Sequence, residues 1–310
     1  MQILFIANGS IGDCIMSTGL LKHLMDMHPE AQFTIVAGPA AAPLYEAFPK
    51  LKRLIIIRKK RWNLHWPILI AQVLFQKWDL VVDLRSSLIS YVLWTKRRKV
   101  FRKSKLSQSK VEQLSALLGQ AFLPTELWIS QASLEKARTL LPWDKYVVLA
   151  PKSNSAYKDW PIERFTKLAQ NLLQKPAFCS SKIVILALAN QKEALLPLVN
   201  ALPASTLVDL SGLTDIPIAC AILSRAQLFI GNDSGLLHMA GALKAPLVGL
   251  YGPNNDKEYA PRGRLVRIAK VREFEHGEKE MRGSTIINQL TVGQVEAIVD
   301  DLFLVIADEK

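Results

Sequence analysis

Short apolar runs alternate with helix-period segments along almost the whole chain, and this alternation constrains the fold more than any other feature. In the first half the runs are Gln2–Ala7, Gln32–Ala37, Leu54–Ile57 and Trp78–Leu84. In the second half they are Tyr146–Ala150, Ile183–Leu188, Leu207–Asp209, Leu228–Ile230 and Pro246–Tyr251. Helical spacing fills the gaps, at Cys14–Met27, Ala40–Phe48, Leu64–Lys77, Ser86–Trp94, Ser109–Gly119, Ser133–Leu141, Ile162–Gln174, Glu193–Ala201 and Ile216–Ser224. Lys99–Phe101 reads as a short strand between basic flanks. Strands that alternate with helices predict parallel sheets covered on both faces. The series restarts after Pro142-Trp143-Asp144, and 310 residues suit about two domains. The expected division is 1–143, 144–290 and a closing amphipathic helix within 291–310.

Three loops stand where such sheets hold ligands. Leu228–Ala242 reads strand, turn, helix, the unit that aims unpaired backbone N–H groups at an anion. Gly231 and Gly235 would let the backbone approach a ligand closely. Asp233 and Ser234 can cap the helix, and His238 falls one turn in. This is a diphosphate site with Ser234 and His238 as donors, or an ordinary capped helix. Asn8-Gly9-Ser10-Ile11-Gly12-Asp13 follows the first strand without the dinucleotide fingerprint. Asp13 is either a helix cap or a carboxylate held at the mouth of the sheet as a base. The third loop, Pro151–Pro161, carries Ser153 and Lys158.

Charge is unevenly spread. Of a net +12, residues 1–150 account for nearly all, with 21 Lys and Arg against 10 Asp and Glu. The excess lies in Arg58-Lys59-Lys60-Arg61-Trp62 and in the run Lys96–Lys105. A field of this kind attracts an anionic partner, such as a membrane surface, a phosphorylated glycolipid or a nucleic acid. The alternative is a solvated, solubilising face. No apolar run approaches the roughly 20 residues of a membrane span. The chain enters its first strand at once, without a basic leader, and its three scattered cysteines fit a reducing cytoplasm.

A base in one domain and a diphosphate cradle in the other, across a cleft, suit displacement at a carbon that carries a diphosphate. Neither a D-x-D pattern nor a His/Cys cluster is present to hold a metal, so Lys158, His238 and the helix start would supply the positive charge.

Gly9-Ser10-Ile11-Gly12-Asp13, then Lys158-Asp159-Trp160-Pro161 with Glu163-Arg164-Phe165, then Asp233-Ser234-Gly235-Leu236-Leu237-His238 form an ordered set. The set resembles the bacterial heptosyltransferases of glycosyltransferase family 9 along nearly the whole chain. The resemblance implies a GT-B fold of two Rossmann-like domains, with the last helix packing back toward the first. It implies inverting transfer, without metal or other cofactor, of a heptose from ADP-heptose to a lipopolysaccharide inner-core acceptor. Asp13 would be the base. Ser153, Lys158, Asp233, Ser234, Gly235 and His238 would hold the donor, with Gln191 and Leu213 near its ribose and adenine. The acceptor would be an anionic glycolipid met from the first domain, by Gly9, Ser10, Gly12, Arg58, Lys59 and Arg61. The enzyme would then be cytoplasmic, peripheral on the inner membrane.

The chain departs from the family pattern in three places. Gly19 replaces a usual Pro, Gln191 replaces Glu facing the ribose, and Val271–Gln289 lacks cysteines. Trp62, Trp66 and Trp94 could stack on sugar rings or serve as packing aromatics. A UDP- or GDP-sugar donor keeps the fold and changes the nucleotide. A nucleic-acid-binding protein is the rival from another class, although no recognisable nucleic-acid module accompanies the basic clusters.

Overall fold

The apolar runs become two fully parallel sheets. The computed structural model describes residues 1–59, 61–102, 108–252, 254–273 and 285–308. Lys60 and Lys103-Ser104-Lys105 of the basic clusters, Pro253, and most of the 271–289 segment lie outside the described residues.

In the first unit the elements are β1 (Gln2–Ile6), α1 (Ile11–Met16), α2 (Thr18–Met27), β2 (Gln32–Ala37), β3 (Leu51–Ile56), α3 (His65–Val73), β4 (Trp78–Asp83), α4 (Ile89–Val92), β5 (Thr95–Val100) and α5 (Lys110–Ser115). Its sheet runs β3-β2-β1-β4-β5. Leu4, Ile6, Val36, Ile55 and Val81 form one core cluster with Leu69 and Val73 of α3, Ile89 of α4 and Leu93 just after it. The intervening Ile3, Phe5, Phe33 and Ile35 are equally buried, as expected when both faces of a parallel sheet are covered.

The second unit begins at Ile129, just after Trp128. Its elements are α6 (Gln131–Leu140), β6 (Tyr146–Ala150), α7 (Ile162–Gln174), β7 (Lys182–Ile185), α8 (Leu196–Ala201), β8 (Leu207–Asp209), α9 (Ile216–Leu223), β9 (Leu228–Asn232), α10 (Gly235–Ala242), β10 (Leu247–Tyr251), α11 (Asp256–Tyr259), β11 (Val266–Lys270) and α12 (Val292–Ala307). The sheet order is β11-β10-β9-β6-β7-β8. Renumbered from its own first strand, this is the Rossmann order 3-2-1-4-5-6, read from the other edge.

The sequence reading differs from this in several places, each with a local cause. The division falls before α6, ahead of the expected boundary at 143, because α6 packs against α9. The closing helix α12 buries Val295, Val299 and Leu302 in the second unit's core and packs on β10, β11 and α7. The helix expected at Cys14–Met27 starts at Ile11 and breaks at Ser17, whose hydroxyl donates to the Cys14 carbonyl. Segment 40–48 keeps only a 3₁₀ turn at Ala42–Tyr45. Within 86–94 only Ile89–Val92 is helical, because Ser86 takes a left-handed φ of 53° and Ser87 donates its N–H and hydroxyl to Asp83. The basic run Thr95–Val100 is an edge strand, longer than the expected 99–101, and exposed charge is what a sheet edge tolerates. Strand β11 was not foreseen.

Gly19 stands against backbone: a Cβ there would lie 2.6 Å from the Leu123 carbonyl oxygen and 2.7 Å from that of Pro124. No helix among the described residues is long and apolar enough to cross a membrane.

Candidate functional site

In the second unit β6 and β9 are neighbours at the point where the strand order reverses. Their C-terminal loops therefore open on a shared crevice, the place where doubly wound sheets bind ligands. Asn232, fully buried at the end of β9, ties these loops together. Its amide donates to the Pro151 carbonyl at 2.7 Å, and its Oδ1 accepts the Trp160 N–H at 3.1 Å. Gly231 serves this packing and not ligand approach. A Cβ on it would lie 2.8 Å from Ala150 Cβ and 2.7 Å from the Phe229 ring, so the room expected for a ligand is already filled.

Past this anchor, Asp233 gathers three side chains. Lys158 Nζ lies 3.2 Å from Oδ2, His238 Nε2 lies 3.7 Å from Oδ1, and the Asn254 amide donates to Oδ2. Ser234 stands at the N-cap of α10 with extended backbone, but its hydroxyl caps nothing. Among the described residues that Oγ is buried without a hydrogen-bond partner, as is Oδ1 of Asn254. Buried polar atoms are nearly always paired, and two orphans beside a helix start are the mark of a place built for a polar ligand. Below them the Tyr251 phenol is held well above its ordinary pKa, first by burial and then by the Asp233 carboxylate. Lys158, Asp233, Ser234 and His238 are thus gathered at the N-terminus of α10, which Gly235 opens.

Ser153 and Gln191 form an adjoining network past the ends of β6 and β7, and Leu213 lies on the loop after β8. Ser153 turns its N–H and hydroxyl to Asp159, each at 2.8 Å, and Lys152 pairs with the same carboxylate at 2.9 Å. Gln191 donates to the Ser153 carbonyl at 2.9 Å and accepts the Leu188 N–H at 3.0 Å. Gly212 takes a φ of 72° with its Cα against Ala189, so the loop that carries Gln191 and the loop that exposes Leu213 are packed together.

In the first unit the reversal lies between β1 and β4. Ser10, not Asp13, caps α1: its hydroxyl accepts the Asp13 N–H at 3.1 Å and donates to Asp13 Oδ2 at 2.7 Å. The Asp13 carboxylate is half-buried and held in one orientation, and its other oxygen has no partner among the described residues. Arg85, which sequence reading missed, bridges the two loops. Its Nε donates to the Ala7 carbonyl at 2.9 Å and its Nη2 to that of Asn8 at 3.2 Å. Gly9 lies beside the same guanidinium, and a Cβ on it would be 3.9 Å from Nη2. Gly12 lies in the first turn of α1. Behind Asp13, burial pushes the Cys14 thiol up to about 11. Arg58, Lys59 and Arg61 are exposed after β3, and Trp62 beside them is exposed too. Trp94 is likewise exposed, whereas Trp66 is partly buried against the α3–α4 core.

The sequence also hid Asn232 and Asn254, because an asparagine after a strand reads as ordinary turn chemistry. No group of three or more His, Cys, Asp or Glu among the described residues is placed to hold a metal ion.

Residues 69–287 match the family profile described as glycosyltransferase family 9 (heptosyltransferase). Lipopolysaccharide core heptosyltransferase OpsX of Haemophilus influenzae is 22% identical, covering 94% of this chain and 93% of that protein. Lipopolysaccharide heptosyltransferase 2 of Salmonella typhimurium is 25% identical, covering 92% of each. Among solved structures, E. coli ADP-heptose lipopolysaccharide heptosyltransferase II superposes with a TM-score of 0.77 at 20% identity, covering 100% of both chains. E. coli heptosyltransferase WaaC with ADP gives 0.76 at 18%, covering 97% of this chain and all of that one. These structural likenesses show the fold, which is GT-B.

Proposed function

Because the chain belongs to glycosyltransferase family 9, we propose that it transfers a heptose from ADP-heptose to a hydroxyl of a lipopolysaccharide inner-core acceptor, an anionic glycolipid. The observation that carries the donor side is the gathering of Lys158, Asp233, Ser234 and His238 at the start of α10, with the Ser234 hydroxyl left unpartnered. The relatives named above include ADP-heptose-dependent enzymes, and WaaC is known with ADP bound.

In the proposed step the acceptor hydroxyl gives its proton to Asp13. Its oxygen attacks the anomeric carbon, and the bond from that carbon to the diphosphate breaks with inversion. Charge developing on the departing ADP is met by Lys158, His238 and the Ser234 hydroxyl. The N–H groups of the first turn of α10 also contribute, since they lack intrahelical acceptors. Asp233 is then a positioning residue, whose carboxylate holds the ammonium, the imidazole and the Asn254 amide in one place. Ser153 and Gln191 brace the crevice near the nucleoside, and Leu213 offers an exposed apolar face to the adenine. This chemistry draws its positive charge from side chains and backbone, so activity should persist in excess chelator.

ADP should raise the melting temperature of the protein well above the effect of UDP or GDP at equal concentration. His238→Ala should weaken ADP binding by roughly 10-fold or more, the worth of one charge-assisted hydrogen bond. Equal stabilisation by all three nucleotides would overturn the donor assignment, and unchanged ADP affinity in the variant would overturn the role of His238.

A further inference from the structure

Four of the ten buried side-chain polar atoms that lack a hydrogen-bond partner among the described residues stand on two adjacent turns of the second unit. They are Ser234 Oγ after β9, Tyr251 OH at the end of β10, Asn254 Oδ1 in the turn that follows and Asp256 Oδ1 at the start of α11. Ser234 and Tyr251 carry hydroxyls, which donate or accept. Asn254 and Asp256 are different, because a fixed partner on each decides which atom is left over.

Asn254 is only 6% exposed. Its amide meets the Asp233 carboxylate, which accepts and does not donate, so the nitrogen faces Asp233 and Oδ1 turns away. The Asp256 side chain is 9% exposed, and its Oδ2 holds Lys270 Nζ, from the end of β11, at 3.0 Å. Lys270 neutralises this carboxylate and leaves Oδ1 over. Both orphaned oxygens are therefore pure acceptors, and a ligand that satisfies them has to bring hydrogen-bond donors. An ionised diphosphate has none. These two oxygens thus serve a different part of the ligand from Lys158, Ser234 and His238.

The sheet order indicates which part. Along its C-terminal edge the strands run β10-β9-β6-β7-β8. The loops after β6, β7 and β8 carry Ser153, Gln191 and Leu213, on the nucleoside side. The diphosphate residues gather at the end of β9. Neighbouring strands lie about 4.8 Å apart, so the group on the far phosphate continues over β10. There it meets the turn with Asn254 and Asp256. A sugar is rich in hydroxyl donors, and a site built to pair with a hydroxyl rejects an analogue that lacks it.

We propose that the β10–α11 turn is the specificity element for the transferred sugar, with Asn254 Oδ1 and Asp256 Oδ1 each accepting a hydrogen bond from one of its hydroxyls. Lys270 is a positioning residue that orients the Asp256 carboxylate. The inference rests on the nucleotide-sugar reading of the site and adds where the sugar is read.

Calorimetric titration with ADP and with ADP-heptose, without acceptor, tests this, and the ratio of the two Kd values isolates the sugar. In Asp256→Ala the Kd for ADP-heptose relative to ADP should rise about 10-fold, with the Kd for ADP itself within about two-fold of wild type. Lys270 keeps Glu273 at 2.9 Å as a partner in this variant. Asn254→Ala should move the ratio by a similar factor and also weaken ADP, because its amide holds Asp233. The wild type gives a second arm that needs no variant. ADP-linked sugars lacking one hydroxyl at a time should show the same loss at one or two positions, and Asp256→Ala should bind one of those analogues as well as the wild type does. A ratio unchanged in both variants, or a wild type indifferent to every hydroxyl deletion, would overturn the proposal. Binding of UDP and a UDP-sugar in place of the ADP pair would overturn the ADP-heptose reading instead, and the turn would stand or fall by the same ratio measured with the UDP pair.

Discussion

A serine at a helix start is normally read as a cap, and Ser234 shows what that reading omits. Its hydroxyl has no partner to lose, so Ser234→Ala should leave the melting temperature within about 1 °C, since no buried bond is broken. The same change should raise the Kd for ADP by about 5- to 10-fold, the net worth of one hydrogen bond. Calorimetric titration and a melting curve on one sample separate the two, and a destabilised variant with unchanged ADP affinity would make Ser234 a cap after all. Arg85 acts on the other chemistry, because it grips the backbone just before Ser10 and Asp13. Arg85→Met should slow turnover by about 10-fold or more through a misplaced loop, with ADP affinity preserved. A wild-type rate would show that the clamp is dispensable. Asp13, Lys158 and His238 could be proposed from the sequence because they sit in, or one turn past, recognisable loops. Arg85, Asn232 and Asn254 could not, because their partners come from loops 72 to 81 residues away or from strands whose adjacency only the sheet order fixes.

At the scale of elements, the unit β9–α10 was legible as strand, turn and helix, but its glycine was misread. Gly231 lies inside the strand, where a side chain would strike β6. Gly231→Ala should destabilise the protein by about 1–3 kcal/mol through overpacking, measured by denaturant unfolding. A neutral result would return this glycine to a ligand-facing role. The basic run at 95–100 was read by its charge, which hid that it is an edge strand. β-Branched or aromatic residues announce a strand, and charged ones do so only when a neighbouring strand supplies the pairing. Likewise the short helices α1 and α2 looked continuous, since Ser17 and Thr18 break the helix through hydrogen bonds and not through Gly or Pro.

At the scale of the whole molecule, alternation of strand and helix was enough to foresee two parallel-sheet units, because each parallel pair needs a crossover and right-handed crossovers leave few topologies. Where α6 attaches was not foreseeable, since an amphipathic helix shows that it has a core-facing side without showing which core. The proposed transfer depends on Asp13 as the base. The most direct measurement is single-turnover transfer by Asp13→Ala beside ADP affinity of the same sample. A rate reduced by about 10²–10⁴-fold with ADP affinity within about two-fold of wild type is the expected result. Near wild-type turnover would show that Asp13 is not the base.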